Sequence, residues 1–241
     1  MINYRNRKKL IQLCAIALFG LLIQGCANTQ SAISQTEKQT QLKSQTYYIY
    51  LAGPEVFLPD PVAAGSSKKA TIEKLNSEHN WPFKLIGLYP IDNEIENFAP
   101  DFATGIAIYH ANLDLMNKAD FITANMVRFR GPSMDVGTAF EMGYMAGLDK
   151  PVFAYYDAKP FYGVEEKPGI YNDRVAKYYP LSKDKAGHDV HGQSIENFQM
   201  ADNLMMIGSL ETGEGKISDS FEDAVLKIAE LILIKKQSKQ P

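Results

Sequence analysis

The 241-residue chain is poor in the residues from which metal centres and disulfide frameworks are built, with two cysteines and four histidines. Both cysteines, Cys14 and Cys26, lie near the N-terminus, so neither a disulfide framework nor a cysteine-based zinc site can form in the body of the chain. Positive charge is also scarce. There are 25 basic against 28 acidic side chains, and four of the basic ones (Arg5, Arg7, Lys8, Lys9) fall within the first 25 residues, which hold no acidic group. The remainder, with 21 basic against 28 acidic groups, should repel phosphate backbones, which argues against nucleic acid as a partner. No GxxxxGK[ST] phosphate loop, no GxGxxG after the first strand and no GxSxG nucleophile elbow occurs. His188 and His191 have HxxH spacing, but no third ligand accompanies them, and they read as a solvated loop pair rather than a metal site. With 45% hydrophobic and 22% charged residues, the composition is that of one globular domain with appendages.

One long apolar run is present, over residues 10–23, interrupted by Gln12 and preceded by the basic cluster. Fourteen residues is short for a membrane span, which needs about 20, and the pattern fits a secretory signal. The run ends at Ile23-Gln24-Gly25-Cys26, which resembles a bacterial lipobox. That resemblance implies cleavage before Cys26 and a lipid on its thiol. Ala27 carries no inner-membrane retention signal, so the expected location is a membrane-anchored lipoprotein on the periplasmic side, at the outer membrane. Residues 28–46 are dominated by Gln, Ser and Thr and cannot bury enough surface to offset their ordering entropy, so they read as a flexible tether. The expected organisation is therefore a signal over 1–25, a lipidated cysteine and tether over 26–46, and a folded domain over 47–241.

Within that domain, residues 47–52, 84–89, 120–126 and 151–156 have strand character, and residues 102–118, 133–148 and 220–236 have helical character, with Ser220 a candidate N-cap. Residues 102–118 carry Phe102, Ile106, Tyr109, Leu113 and Met116 at helical spacing. Residues 157–193 are long, charged and without periodicity, and read as a functional or mobile loop. Strands alternating with helices predict an α/β fold, a single doubly wound, Rossmann-like or flavodoxin-like, mainly parallel sheet with helices on both faces. Ligands then bind beyond the carboxyl ends of the strands. The segments 50–55, 125–135 and 155 onward end there.

The segment 131–147 carries Gly137, Gly143 and Gly147 within its helix, each costing about 0.8–1 kcal/mol relative to Ala. Val136, Phe140, Gly143 and Gly147 follow core spacing, so the latter two glycines can be read as permitting close packing on the sheet. Gly137 lies one turn before Glu141 on the same face, where a ligand could approach closely. Asp135 stands at the helix start, so both carboxylates can border one pocket. On spacing alone, a solvated Glu141 with Asp135 as an N-cap is the better account of the pattern.

A resemblance adds to this. Tyr50-Leu51-Ala52-Gly53-Pro54, Ala119-Asp120 with Ala124-Asn125, Phe129-Arg130-Gly131 with Asp135 through Tyr144, Lys150-Pro151-Val152, and Asp202-Asn203-Leu204-Met205-Met206 occur in the order seen in nucleoside 2-deoxyribosyltransferases. The chain resembles that family over about residues 48–206. The resemblance implies that Glu141 is the nucleophile attacking C1′ of the sugar, that Tyr50 orients it, and that Asp135 holds sugar hydroxyls. Asp114 is similar to the aspartate that exchanges a proton with the base, with a shorter spacing to the Ala119-Asp120 pair. Gly53 and Gly137 belong to the matching segments that border the substrate. Asn203 and Met205 match residues donated to a neighbouring subunit's site, which implies a homo-oligomer with shared active sites.

The implied activity is exchange of nucleobases on 2′-deoxynucleosides through a covalent glycosyl-glutamate, with deoxynucleosides and free nucleobases as ligands. It requires no metal or organic cofactor. Such chemistry suits a carboxylate below a developing oxocarbenium ion and an acid that neutralises the departing base. Two alternatives stand beside it. One is an N-glycosidase acting on deoxynucleosides or their 5′-monophosphates, for which Arg128 and Arg130 could bind phosphate unless they are a solvated strand-end pair. The other is a tethered nucleoside-binding protein without turnover. Tyr155, Tyr156, Phe161, Tyr162 and Tyr171 could stack on a base or simply pack within the loop.

Overall fold

The computed structural model describes residues 45–95 and 98–238. The expected signal segment, Cys26 and the tether up to residue 44 lie outside the described residues. The chain divides into two units, Met1–Gln45 with Trp81–Lys84, and Thr46–Asn80 with Leu85–Pro241. In the first, the described Trp81 and Phe83 rings stack with centroids 5.5 Å apart. The second carries the fold.

Five strands, β1 (Thr46–Ala52), β2 (Lys84–Leu88), β3 (Phe121–Asn125), β4 (Val152–Tyr155) and β5 (Ile217–Ser218), form one sheet in the order β2-β1-β3-β4-β5. The pairs β1–β3, β3–β4 and β4–β5 are parallel, with Tyr50 beside Ile122 and Ile122 beside Val152. Every residue of β3 and β4 is buried, the expected state of a parallel strand covered on both faces. The long helices are α1 (Pro61–His79), α2 (Phe102–Lys118), α3 (Val136–Gly147) and α7 (Phe221–Gln237); three short ones, α4 (Lys159–Tyr162), α5 (Tyr171–Tyr178) and α6 (Leu204–Ser209), lie between β4 and β5. Helix α7 packs on β3 and β4 and against α1, while α3 packs on β3 and against α6. This is the doubly wound α/β architecture expected of the alternating strands and helices. Among the described residues no helix is long and apolar enough to cross a membrane.

Four helices begin on a side chain that accepts a backbone N–H three residues on: Asp60 from Ala63 at 2.9 Å, Asp101 from Thr104 at 2.8 Å, Asp135 from Thr138 at 2.8 Å and Ser220 from Asp223 at 3.0 Å. Helix α1 stops at Asn80, which takes a left-handed conformation at φ 43°. Its buried face is Gly65, Lys68, Ile72 and Leu75, a helical spacing in which two of the four residues are not apolar. Gly65 is required there, because a Cβ would stand 2.3 Å from the ring of Tyr89.

Two expectations reverse. Phe102, Ile106 and Tyr109 of α2 are exposed, and of the expected stripe only Met116 is fully buried. In α3 the residues that meet the protein interior are Thr138, Met142 and Met145, whereas Val136 is 85% and Phe140 49% exposed. A Cβ on Gly143 or Gly147 would touch nothing within 4 Å. Those two glycines therefore do not serve packing on the sheet; both are exposed, and Gly143 belongs to an outward face shared with Met205 and Met206. The segment 157–193 is also more ordered than its composition suggests, since it holds α4, α5 and bridges joining Leu181 to Asp189 and His188 to Ser194.

Candidate active site

The strand order changes direction between β1 and β3, and ligands in such sheets bind beyond the carboxyl ends of the strands at that point. A cavity of about 640 Å³ lies there, within the size range of small-molecule sites. Gly53, Val56 and Phe57 reach it from the turn after β1, Ile91 and Asn93 from the segment after β2, Ile108 and Asn112 from α2, and Asp135, Gly137, Thr138 and Glu141 from α3 and its N-cap. Gly53 sits at φ 149° and close under Asn125 and Glu55, so a side chain at that position would meet both.

Tyr50 is fully buried within β1, and its hydroxyl donates to Glu141 Oε1 at 2.5 Å, a short charge-assisted hydrogen bond. Burial, reinforced by the carboxylate itself, pushes the Tyr50 hydroxyl well above the usual phenol range, which keeps it a donor. Glu141 is pushed up to about 7, chiefly by burial; the hydrogen bond from Tyr50 opposes that rise, Asp135 adds to it, and Lys68 opposes it. Near neutral pH the group thus divides between its ionised and neutral forms, where a nucleophile or general base works best.

Asp135 caps α3 and lines the cavity as well, so the two readings of this residue are compatible. Its Oδ2 accepts from the Thr138 N–H at 2.8 Å and from the Thr138 hydroxyl at 3.0 Å. A Cβ on Gly137 would come within 3.1 Å of the same oxygen, so glycine keeps this side of the cavity open. The loop before Asp135 is anchored by a buried ion pair, Arg174 to Asp202 at 3.2 Å. Asp202 also accepts from Met134 N–H at 3.1 Å and Ser133 Oγ at 2.5 Å, and Arg174 Nε donates to Pro132 O at 2.6 Å.

Tyr50, Gly53, Asp135, Gly137 and Glu141 are therefore brought together. Asp114 is not: it is exposed on α2 and does not line the cavity, whereas Asn112 does. Two residues along a helix is a rotation of about 200°, so Asn112 and Asp114 face nearly opposite ways. Asn112 Oδ1 accepts from Asn93 Nδ2 at 3.2 Å. Asn203 and Met205 lie away from the cavity. Asn203 caps α6 and donates to Glu196 Oε2 at 2.8 Å, while Met205 is 72% exposed.

Residues 49–205 match the model of the nucleoside 2-deoxyribosyltransferase family. The chain belongs to this family. Its structure is similar to a 2-desoxiribosyltransferase from Leishmania mexicana, at 28% sequence identity and a TM-score of 0.51, over 76% of this chain and 97% of that one. An uncharacterized protein of Schizosaccharomyces pombe is 25% identical over 195 residues, which is 75% of this chain and 88% of the relative. The match covers β1 to the start of α6, and so all the segments that line the cavity.

The two arginines of the loop after β3 separate in role. Arg128 is paired with Glu166 at 3.3 Å and lies over the Tyr162 ring at 3.9 Å. Arg130, at φ 54°, lies over Phe57 at 5.0 Å and Phe129 at 4.7 Å, and Phe57 lines the cavity. Of the five loop aromatics none lines the cavity; Tyr155 and Tyr156 are buried in the protein. Sequence reasoning missed Asn112, Thr138 and the apolar wall of Val56, Phe57, Ile91 and Ile108. Asn112 carried a usable signal, since it follows Ile108 by one helical turn and shares its face.

Proposed function

We propose that the chain transfers the 2-deoxyribosyl group between nucleobases of 2′-deoxynucleosides. The observation that carries this reading is Glu141, held by Tyr50 at 2.5 Å on the wall of a cavity with Asp135 beside it. A Glu141 oxygen attacks C1′ as the glycosidic bond breaks, and that electron pair leaves on the nucleobase. A ring nitrogen of a second base then attacks C1′ from the vacated side; the ester bond breaks and its electron pair returns to Glu141, so configuration is retained. Asp135 Oδ1, free of the capping bonds, accepts from a sugar hydroxyl. Asn112 and Asn93 hydrogen-bond the nucleobase; an amide cannot be the acid that the resemblance assigns to Asp114, so the proton taken up by the departing base and given back by the incoming one is exchanged with solvent in the open cavity. The apolar wall covers the faces of the base.

Oligomerisation belongs to the same reading. Val136, Phe140 and Met205 form an exposed apolar face next to α6, which a second copy would cover while bringing Asn203 and Met205 to its own neighbour's cavity. The lipobox-like segment supports anchoring through Cys26 on the periplasmic side, so the substrates would be deoxynucleosides outside the cytoplasm. Incorporation of labelled palmitate, lost in Cys26→Ser, tests the anchor.

The function is tested by incubating the purified protein with deoxyinosine, with and without adenine or cytosine, and separating the products. A new deoxynucleoside formed only with the added base, and absent with Glu141→Ala, supports transfer. Free deoxyribose irrespective of acceptor moves the assignment to an N-glycosidase. Arg130 over Phe57 favours repeating that assay on 5′-monophosphates. Binding without turnover would leave the tethered binder.

A further inference from the structure

The polar side chains that line the cavity fall into two groups. Asp135, Thr138 and Glu141 come from α3 and its N-cap, whereas Asn93 comes from the segment after β2 and Asn112 from α2. Among the described residues that line it there is no lysine or arginine. In the first group the Thr138 hydroxyl donates to Asp135, and Glu141 accepts from Tyr50. The second group differs in kind, because a side-chain amide can be set either way round and so offer a neighbour a donor or an acceptor.

The turn Pro90–Asp92 decides which way these two amides are set. Pro90 O lies 3.2 Å from the Asn93 side chain, and a carbonyl only accepts, so the atom that faces it is Nδ2. The same nitrogen reaches the Asn112 side chain at 3.2 Å, where a donor must meet an acceptor, Asn112 Oδ1. Both hydrogens of the Asn93 amide are used in this way. Asn112 keeps Nδ2, whose two N–H groups bond to none of the described residues, as its polar contribution to the cavity.

We propose that Asn93 is a positioning residue that locks the Asn112 amide with its N–H groups toward the nucleobase, and that the site therefore selects oxo bases, such as hypoxanthine and uracil, over the amino bases adenine and cytosine. This inference rests on the nucleoside reading of the cavity given above. An oxo base carries a carbonyl oxygen where its amino counterpart carries an NH2 group. A fixed donor pairs with the first and is left facing hydrogens by the second. The preference extends to the bond-breaking step. The electron pair that leaves with an oxo base spreads onto that carbonyl oxygen, and the Asn112 N–H groups meet it on a wall that has no cation among its described residues.

Isothermal titration of the full chain carrying Glu141→Gln, which cannot form the glycosyl ester, tests this without turnover. Deoxyinosine is compared with deoxyadenosine, and deoxyuridine with deoxycytidine; within each pair the ligands match in size and differ at the exocyclic group and the adjoining ring nitrogen. The oxo member should bind about tenfold more tightly. Adding Asn93→Asp leaves only acceptors facing Asn112, so the Asn112 amide turns, shows Oδ1 to the base and reverses the order. Asn112→Asp, which leaves the Pro90 turn untouched, presents only acceptors and should reverse it as well, and it decides the matter if Asn93→Asp does not fold. An affinity loss equal for all four nucleosides, the result of a pair that merely braces the turn, overturns the proposal. Equal binding of oxo and amino members by the Glu141→Gln chain overturns it too. In both cases the nucleosides still bind, so the nucleoside reading survives. If none of the four binds the Glu141→Gln chain, that reading falls and this inference falls with it.

Discussion

Replacing Glu141 by Gln should stabilise the protein in a pH-dependent way. In the unfolded chain the carboxyl titrates near its ordinary 4.5, and in the folded protein near about 7. The folded state therefore binds this proton more tightly. As pH rises from 4.5 to 7 the unfolded chain gives up the proton first, so folding stability falls across that window and levels off above it. A difference of that size corresponds to about 3 kcal/mol at 1.36 kcal/mol per unit. Water in the open cavity screens part of it, which leaves about 2 kcal/mol between pH 5 and 8. Glu141→Gln has no such dependence, and the other titrating groups are common to both proteins. Urea denaturation of the two at pH 5 and pH 8 should thus show the variant gaining about 2 kcal/mol on the wild type at the higher pH. The acid limb of kcat/KM for the wild type should fall at the same pH of about 7, since the neutral carboxyl cannot attack. A stability gap equal at both pH values within about 0.5 kcal/mol would refute the burial argument, and with it the reason this carboxylate is poised near neutrality.

Tyr50→Phe removes the hydrogen bond that favours the ionised carboxylate, so the acid limb should move up by about one unit and kcat/KM at pH 7 should fall about tenfold or more; an unmoved limb would show that the 2.5 Å contact does not tune Glu141. Asn112→Ala should lower kcat/KM by about tenfold to a hundredfold, while Asp114→Asn should stay within about threefold. The reverse order in steady-state kinetics would place Asp114 at the base as its proton donor. Arg174→Met leaves Asp202 buried without its cation and should cost about 3–5 kcal/mol by urea denaturation, part of it recovered on adding Asp202→Asn. Phe140→Asp should dissociate the assembly in sedimentation velocity and depress turnover with it; an unchanged sedimentation coefficient would remove this face from the subunit contact.

Four of the five strands were legible because each is a short apolar or aromatic run bounded by Gly, Pro or Asp, and burial on both faces demands such a run; β5, Ile217–Ser218, is two residues long and shows no pattern. The first helix was not. Its interior face includes Gly65 under the Tyr89 ring and Lys68 in its aromatic enclosure, so half of the buried positions look polar or small and the 3.6-residue period disappears. The short helices after β4 were hidden for another reason. Helix α5 inserts Arg174 into the interior to hold Pro132, Ala201 and Asp202, and a segment ordered by one buried arginine has no hydrophobic pattern to read.

The cavity-lining face of α3 shows where periodicity stops being informative. Spacing correctly grouped Gly137 with Glu141, and Val136 with Phe140 and Gly143, but spacing is symmetric and does not say which stripe faces inward. The polar and methionine stripe, Thr138, Met142 and Met145, meets the interior, while the apolar one faces solvent. A helix with apolar residues on both sides has two surfaces to cover, and the described residues of one copy cover only one of them. The exposed stripe and the cavity lie on the same 12-residue helix, so a second copy that covered the first would also fix the helix that carries Glu141. The resemblance, not the spacing, put Asp114 at the base, whereas the helix turns Asn112 toward the cavity. Two residues on a helix separate a cavity wall from solvent, and only the three-dimensional direction of Ile108 resolves them.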